Sequence, residues 1–261
     1  MFTLCSIHFQ MQGYLFSERQ DDIKTMKSRL DAAFGNIRDE LRLDPTSQFV
    51  HAFIGSRTYD EVSLRAFVRL VTRYQSWDDI ADADAREIER VLAGVTYAED
   101  KSVNLVRALR KIRACAGTID LEFLANLPVE IGLSWLENIY GVGRKIAAAT
   151  LNFSTLRKRA FVVDTHVMRV VRRYGFVAAQ ADGIAVYDAI MASASAFDAD
   201  DLYELHWQLK YLGQRICTHF SAQCSLCFLA DICLRRLEKR LEPANAAMQK
   251  NSARYALGSA T

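Results

Sequence analysis

The sequence predicts an all-α protein on three observations. Its 261 residues hold only three prolines, Pro45, Pro128 and Pro243, and no Asn-Gly or Asp-Gly turn set between strand-like runs. Apolar residues recur at helical spacing in one segment after another. Val162-Val163 is apolar and β-branched, but two residues do not make a sheet.

The elements follow in chain order. Val62, Phe67, Leu70, Val71 and Tyr74 mark the apolar positions of one helix, with Arg65, Arg69 and Arg73 on the remainder. Asp84 to Leu92 and Ser102 to Ile112 repeat the pattern. Leu133 to Ile139 reads as a helix, Gly141-Val142-Gly143 as a turn in which both glycines can take positive φ, and Arg144 to Asn152 as the next helix. A further helix begins near Thr165 with Asp164 as its N-cap, and Tyr203 to Leu212 gives another. From 242 to 261 the chain is small and polar and is expected to be a flexible tail.

Composition excludes more than it identifies. With 51% hydrophobic and 25% charged residues and 12 glycines, the chain is neither disordered nor fibrous. A net charge of +2 argues mildly against nucleic acid. The distribution reads differently: residues 141–175 carry eight basic side chains and one acid, whereas 176–206 carry six acids and no Lys or Arg. No basic leader precedes an apolar run and no uncharged stretch could span a bilayer, so an intracellular, reducing setting is expected.

Three motifs carry chemistry. In the first, the helix after the glycine turn points its leading N–H groups and positive dipole end over the turn, a placement that suits a phosphate. Lys145 is the second residue of that helix. Arg144 and the dipole both disfavour a second positive charge there, and a neutral amine is what a lysine nucleophile requires. In the second, Asp164 caps a helix inside a basic block, so its fixed carboxylate could stabilise a developing cation or activate a nucleophile. His166 reads as a packing or hydrogen-bonding residue.

The third motif is Cys217-x6-Cys224-x2-Cys227-x5-Cys233. Four thiolates this close can surround one metal centre, either zinc or an iron–sulfur cluster. Cys5 and Cys115 read as small buried hydrophobes.

Gly141-Val142-Gly143-Arg144-Lys145, Val163-Asp164-Thr165-His166 and the cysteine spacing, taken in this order, resemble the endonuclease III family of helix–hairpin–helix DNA glycosylases over roughly Thr46 to Cys233. The resemblance implies a six-helix barrel with the helix–hairpin–helix over 44–157. It also implies a second, discontinuous helical domain, 1–43 with 158–241, holding a [4Fe-4S] cluster on Cys217, Cys224, Cys227 and Cys233. Its partner would be double-stranded DNA containing a damaged or modified base, bound by a monomer. Lys145 matches the family's Schiff-base lysine and Asp164 its essential aspartate, which implies combined glycosylase and lyase activity. Gly141, Val142, Gly143 and Arg144 would grip a phosphate, positioning the duplex without reading sequence.

Several residues depart from the family pattern. Ser56-Arg57-Thr58-Tyr59-Asp60 stands where relatives often carry Ser-x-Gln, which makes Arg57 the candidate to fill the gap left by a flipped base. Tyr140 replaces a usual proline, and the Cys217–Cys224 loop offers only His219 where relatives place Arg or Lys. Gly117 to Leu124 and Leu202 to Leu209 resemble the plant 5-methylcytosine DNA glycosylases, which raises methylated or mismatched pyrimidines as alternatives to oxidised ones. A non-catalytic DNA-binding protein would keep the hairpin and cluster without needing Lys145 and Asp164. A zinc-stabilised interaction module would account for the cysteines alone.

Overall fold

The computed structural model describes residues 20–35, 37 and 42–235. The expected tail at 242–261, Pro243 and Cys5 lie outside these residues. Eleven α-helices occur among the described residues: α1 (20–34), α2 (Pro45–Gly55), α3 (Asp60–Arg73), α4 (Trp77–Asp82), α5 (Ala85–Val91), α6 (Ala98–Ala116), α7 (Val129–Glu137), α8 (Arg144–Phe153), α9 (Thr165–Tyr174), α10 (Gly183–Ser193) and α11 (Ala199–Arg215). Among the described residues there is no strand, only an isolated antiparallel bridge between Cys217 and Ala222. The protein is all-α, as the spacing predicts. No helix among the described residues is long and apolar enough to cross a membrane.

Short polar side chains start most of these helices. Asp44 accepts from the Thr46 and Ser47 N–H groups ahead of α2, with Pro45 in the first turn. Ser76 and Asp79 form a reciprocal capping box on α4, and Asp84, Asp164 and Asp182 cap α5, α9 and α10.

The chain divides into two compact units. The first comprises Arg38–Val163 and Ala196–Glu204. Its core is built from Phe49, Val50 and Ile54 of α2, Leu70 of α3, Leu105 and Leu109 of α6, and Leu133 and Leu136 of α7. Within it α8 is buried from Ile146 through Asn152. A helix buried all round needs small side chains, and Ala147, Ala148 and Ala149 let α2 and α7 approach. At Gly132 of α7 an added Cβ would already touch Leu151 at 3.4 Å.

The end of α8 is held by a polar knot. Asn152 Nδ2 donates to the Lys158 and Ala199 carbonyls at 2.9 and 2.8 Å, while the Asn152 carbonyl accepts from Arg42. Arg42 also donates to Asp200 Oδ1 at 2.6 Å and stacks 4.4 Å from the Tyr203 ring. Its side chain is only 6% exposed and that of Asp200 22%.

The second unit comprises Met1–Ile37, Asp164–Ser195 and Leu205–Thr261. Ile23, Met26 and Leu30 of α1, Val167, Val170 and Val171 of α9, Val186 and Ile190 of α10, and Leu205, Leu209 and Leu212 of α11 form its core. Gln208 donates from Nε2 to Asp31 Oδ1 at 2.8 Å and to the Gly35 carbonyl at 3.1 Å, tying α11 to α1.

Two positions depart from the sequence expectation. On α3 the core positions are Ser63, Ala66, Phe67 and Leu70, while Val71 is exposed, because the buried stripe is narrower than the run of apolar residues. Cys115 is exposed, not buried: the last turn of α6 extends past Ile112, the last residue of that helix to reach the core.

Asp200 is an ion-pair partner of the buried Arg42. Asp200→Ala should lower unfolding free energy by about 2 kcal/mol, because it removes a carboxylate from a desolvated guanidinium. Arg157, the second partner of Asp200, is 52% exposed, so Arg157→Ala should change stability by no more than about 0.5 kcal/mol. Denaturant unfolding of the two variants checks both.

Candidate active site and metal centre

In the first unit the site grows from the turn between α7 and α8. α7 ends at Asn138, and the Ile139 and Val142 N–H groups donate to the Leu136 and Ile139 carbonyls, both at 3.0 Å. Gly141 then takes φ +83°, where an added Cβ would lie 3.3 Å from Phe53 Cζ. Glycine is required there by both backbone conformation and space. Gly143 is different: it sits at φ −105° in extended backbone as the N-cap of α8, with open space where a Cβ would stand. One of the two turn glycines is therefore left-handed, not both. No side chain caps α8, so its leading N–H groups face outward over the turn.

Arg144 and Lys145 occupy the first turn of α8, each partly buried. Arg144 donates from Nε to Glu137 Oε1 at 2.5 Å and from Nη2 to Glu137 Oε2 at 3.3 Å. This bidentate pair holds the Arg144 guanidinium against Glu137.

A second ammonium, that of Lys101, also interacts with Lys145, which spacing alone does not reveal. Lys101 is on α6, and its buried ammonium donates to the Ile54 and Ser56 carbonyls and to Thr58 Oγ1. Burial, then repulsion from Lys145 and Arg57, lowers its pKa to about 8. One stripe of α6 thus serves the whole site. Lys101 meets the turn after α2, Asn104 Cβ lies 3.8 Å from the position of a Cβ on Gly141, and Arg107 stacks 4.6 Å from the Tyr140 ring. Arg57 is exposed in the α2–α3 turn at φ 55°, with its guanidinium 5.9 Å from the Tyr97 ring. Tyr59, Tyr97 and Tyr140 are all strongly exposed. Tyrosines close in sequence to Arg57 and to the glycine turn are a sequence signal that could have marked this surface.

In the second unit Asp164 is fixed as the cap of α9, its Oδ1 accepting from the His166 and Val167 N–H groups at 2.8 Å each. His166 Nδ1 lies 3.1 Å from the Arg169 guanidinium, a hydrogen-bonding role as expected. Arg169 and Arg173 then reach the cysteine loop. Arg169 Nε donates to the Cys217 carbonyl at 3.0 Å, and Arg173 donates to the Thr218 and His219 carbonyls at 2.6 and 2.9 Å and to Cys217 Sγ at 3.5 Å. His219 is exposed and stands edge-on to Phe220, which is 98% exposed. Gly175 ends α9 at φ +94°, where a Cβ would lie 2.7 Å from Leu234 Cβ just past the last cysteine.

Cys217, Cys224, Cys227 and Cys233 form no disulfide and line one small cavity. Burial pushes the Cys227 thiol up, and the other three cysteines push it the same way. Among the described residues no three His, Cys, Asp or Glu side chains converge closely enough to hold a single metal ion.

The basic block is largely committed to the fold. Arg157 pairs with Asp200, Lys158 donates to the Ala125 and Leu127 carbonyls, Arg159 to Phe197 and Arg172 to Ala181. Loop carbonyls accept from several of its side chains, and the acidic block supplies caps and the Asp200 carboxylate.

Comparison with known proteins agrees with this geometry. Residues 50–195 match the family described as HhH-GPD superfamily base excision DNA repair protein. The chain is 30% identical over 162 residues to a candidate DNA glycosylase of Arabidopsis thaliana, covering 62% of this chain and 54% of that protein. It is 26% identical over 193 residues to the DNA glycosylase/AP lyase ROS1 of Arabidopsis thaliana, covering 66% of this chain and 14% of ROS1. The chain therefore spans about half of the first relative and a small part of the second. In fold it is similar to endonuclease III in a trapped covalent complex with DNA, with a TM-score of 0.69 at 20% identity over 85% of this chain and 98% of that one.

The two turn glycines should respond differently to substitution. Gly141→Ala should cost about 1–2 kcal/mol, whereas Gly143→Ala should stay within about 0.5 kcal/mol of the parent. Thermal unfolding distinguishes them.

Proposed function

The chain belongs to the HhH-GPD superfamily of base excision DNA repair proteins, and from that premise we propose a bifunctional DNA glycosylase that removes a damaged or modified pyrimidine and then cuts the strand. The observation that carries the reading is Lys145: a lysine in the first turn of α8, directly after a left-handed glycine turn, with a second ammonium close by on Lys101. An amine so placed loses its proton more readily than an ordinary surface lysine.

A stacked base is out of reach, so the nucleotide is flipped into the protein at a cost of about a few kcal/mol. The neutral Lys145 amine attacks C1′ of the deoxyribose. The bond from C1′ to the base breaks, the base leaves with the bonding electrons and a proton, and opening of the sugar ring gives an imine. Loss of a C2′ proton then expels the 3′ phosphate by β-elimination. By the family resemblance, Asp164 is the carboxylate that offsets the positive charge developing on the sugar. The Gly141–Arg144 backbone holds a phosphate, and Arg57 fills the space the flipped base vacates.

The cysteines support a [4Fe-4S] cluster. Four cysteines that form no disulfide line one cavity, and burial first, then the other three cysteines, push the Cys227 thiol up. When bound, the cluster supplies iron–thiolate bonds tying the loop after α11 to Cys233. Arg169 and Arg173 orient that loop through its carbonyls.

A second reading, excision of 5-methylcytosine or of thymine mispaired with guanine, is favoured by the similarity to ROS1. A panel of duplexes carrying thymine glycol, 5-hydroxyuracil, uracil, 5-methylcytosine and T opposite G separates the two.

Borohydride trapping on an abasic-site duplex tests the chemistry. The parent should form a covalent adduct, Lys145→Gln should form none, and Asp164→Asn should slow trapping by about 10²-fold. An adduct that persists in Lys145→Gln sinks the assignment. Purified protein should also show the broad visible absorbance of an iron–sulfur cluster, lost in Cys224→Ala; a colourless, zinc-containing protein overturns the cluster.

A further inference from the structure

Lys101 is only 7% exposed, and its nearest charged neighbours, Lys145 from α8 and Arg57 from the α2–α3 turn, are both positive. A buried ammonium among like charges is unfavourable unless oxygen acceptors compensate it. Here all three N–H donors are used, and all three acceptors belong to one turn: the Ile54 carbonyl at 2.8 Å, the Ser56 carbonyl, and Thr58 Oγ1 at 3.1 Å.

The acceptors explain what the ammonium controls. Ile54 lies in the last turn of α2, a helix with no basic residue of its own at that end, so Lys101 supplies the cation its dipole favours. The Ser56 carbonyl belongs to the peptide immediately before Arg57. Thr58 Oγ1 also accepts from the Thr96 N–H at 3.2 Å, joining the turn to the start of α6. Arg57 itself sits at φ 55°, a conformation a long side chain avoids unless its surroundings impose it. Charge-assisted hydrogen bonds on both sides of that residue outweigh the strain of one left-handed turn position.

We infer that Lys101 is a positioning residue for duplex engagement: its ammonium locks the Ser56–Tyr59 turn in the strained conformation that presents Arg57 to the space left by a flipped nucleotide. The inference rests on the gap-filling role of Arg57 proposed above. It assigns Lys101 no contact with DNA and no part in proton transfer. Without the ammonium, Arg57 relaxes to an ordinary negative φ and its side chain leaves the site.

A double-mutant cycle tests this by binding alone, independently of the lyase chemistry. The probe is a duplex carrying a tetrahydrofuran abasic analogue, with the same modified strand unpaired as control. Lys101→Met and Arg57→Ala should each weaken duplex binding by about tenfold. The double variant should be no weaker than either single one, because both remove the same contact. Binding of the single strand, which has no gap to fill, should be unchanged.

Multiplied losses in the double variant, equal loss on duplex and single strand, or unchanged duplex binding by Lys101→Met each overturn the inference. If Lys101→Met does not fold, Thr58→Val removes one acceptor of the ammonium and takes its place in the cycle with the same expectations. Failure of the parent to form a borohydride adduct would remove the lyase reading while leaving this cycle intact. Failure of the parent to prefer the abasic duplex over an intact one would remove the Arg57 role and Lys101 with it.

Discussion

The burial of α8 constrains everything else in the first unit. From Ile146 to Asn152 the helix has packing partners on every side, so only its first turn can meet anything from outside. Its far end is fixed by Asn152, Arg42 and Asp200, and its near end by Gly141 lying against Phe53. A helix clamped at both ends and packed along its length cannot rotate or slide without opening core contacts. Lys145 therefore inherits the rigidity of the core while remaining accessible, the combination a nucleophile needs.

Charge is managed by partner choice rather than by sequence neighbourhood. Eight basic residues within 35 positions suggest an exposed positive face. In the structure most of them donate to backbone carbonyls or pair with acids, and Asp200 of the acidic block answers both Arg42 and Arg157. Arg144 is paired with Glu137. A like charge that interacts with Lys145 is Lys101, 44 positions earlier in the chain, which no reading of local charge density would select.

The cysteine loop follows a comparable logic in the second unit. Two arginines one helical turn apart on α9, Arg169 and Arg173, hold the carbonyls of Cys217, Thr218 and His219, and the α9 exit requires glycine because Leu234 crosses it. The stretches that resemble plant glycosylases prove to be framework. Leu121 donates its N–H to Thr46 Oγ1, Phe123 meets Trp135 edge-on, and Gln208 ties α11 to α1.

The sequence alone was enough for the helical class, the starts of α5, α8 and α9, the glycine turn and the cysteine group. Each of these depends on residues within a few positions of one another: apolar period, an Asp or Ser ahead of a helix, a glycine free of Cβ. Those same short-range rules overstated the glycine turn, since both glycines permit positive φ and only the packing of Phe53 shows which one uses it. They also misplaced Cys115, because how far a helix outruns the core is not written in the helix. Tertiary structure alone decided the Lys101 anchor on a turn 45 residues away and the Arg42–Asp200 pair across 158 residues. A buried charge is satisfied by whichever acceptor the folded chain brings within about 3 Å, and that choice exists only once distant helices have packed.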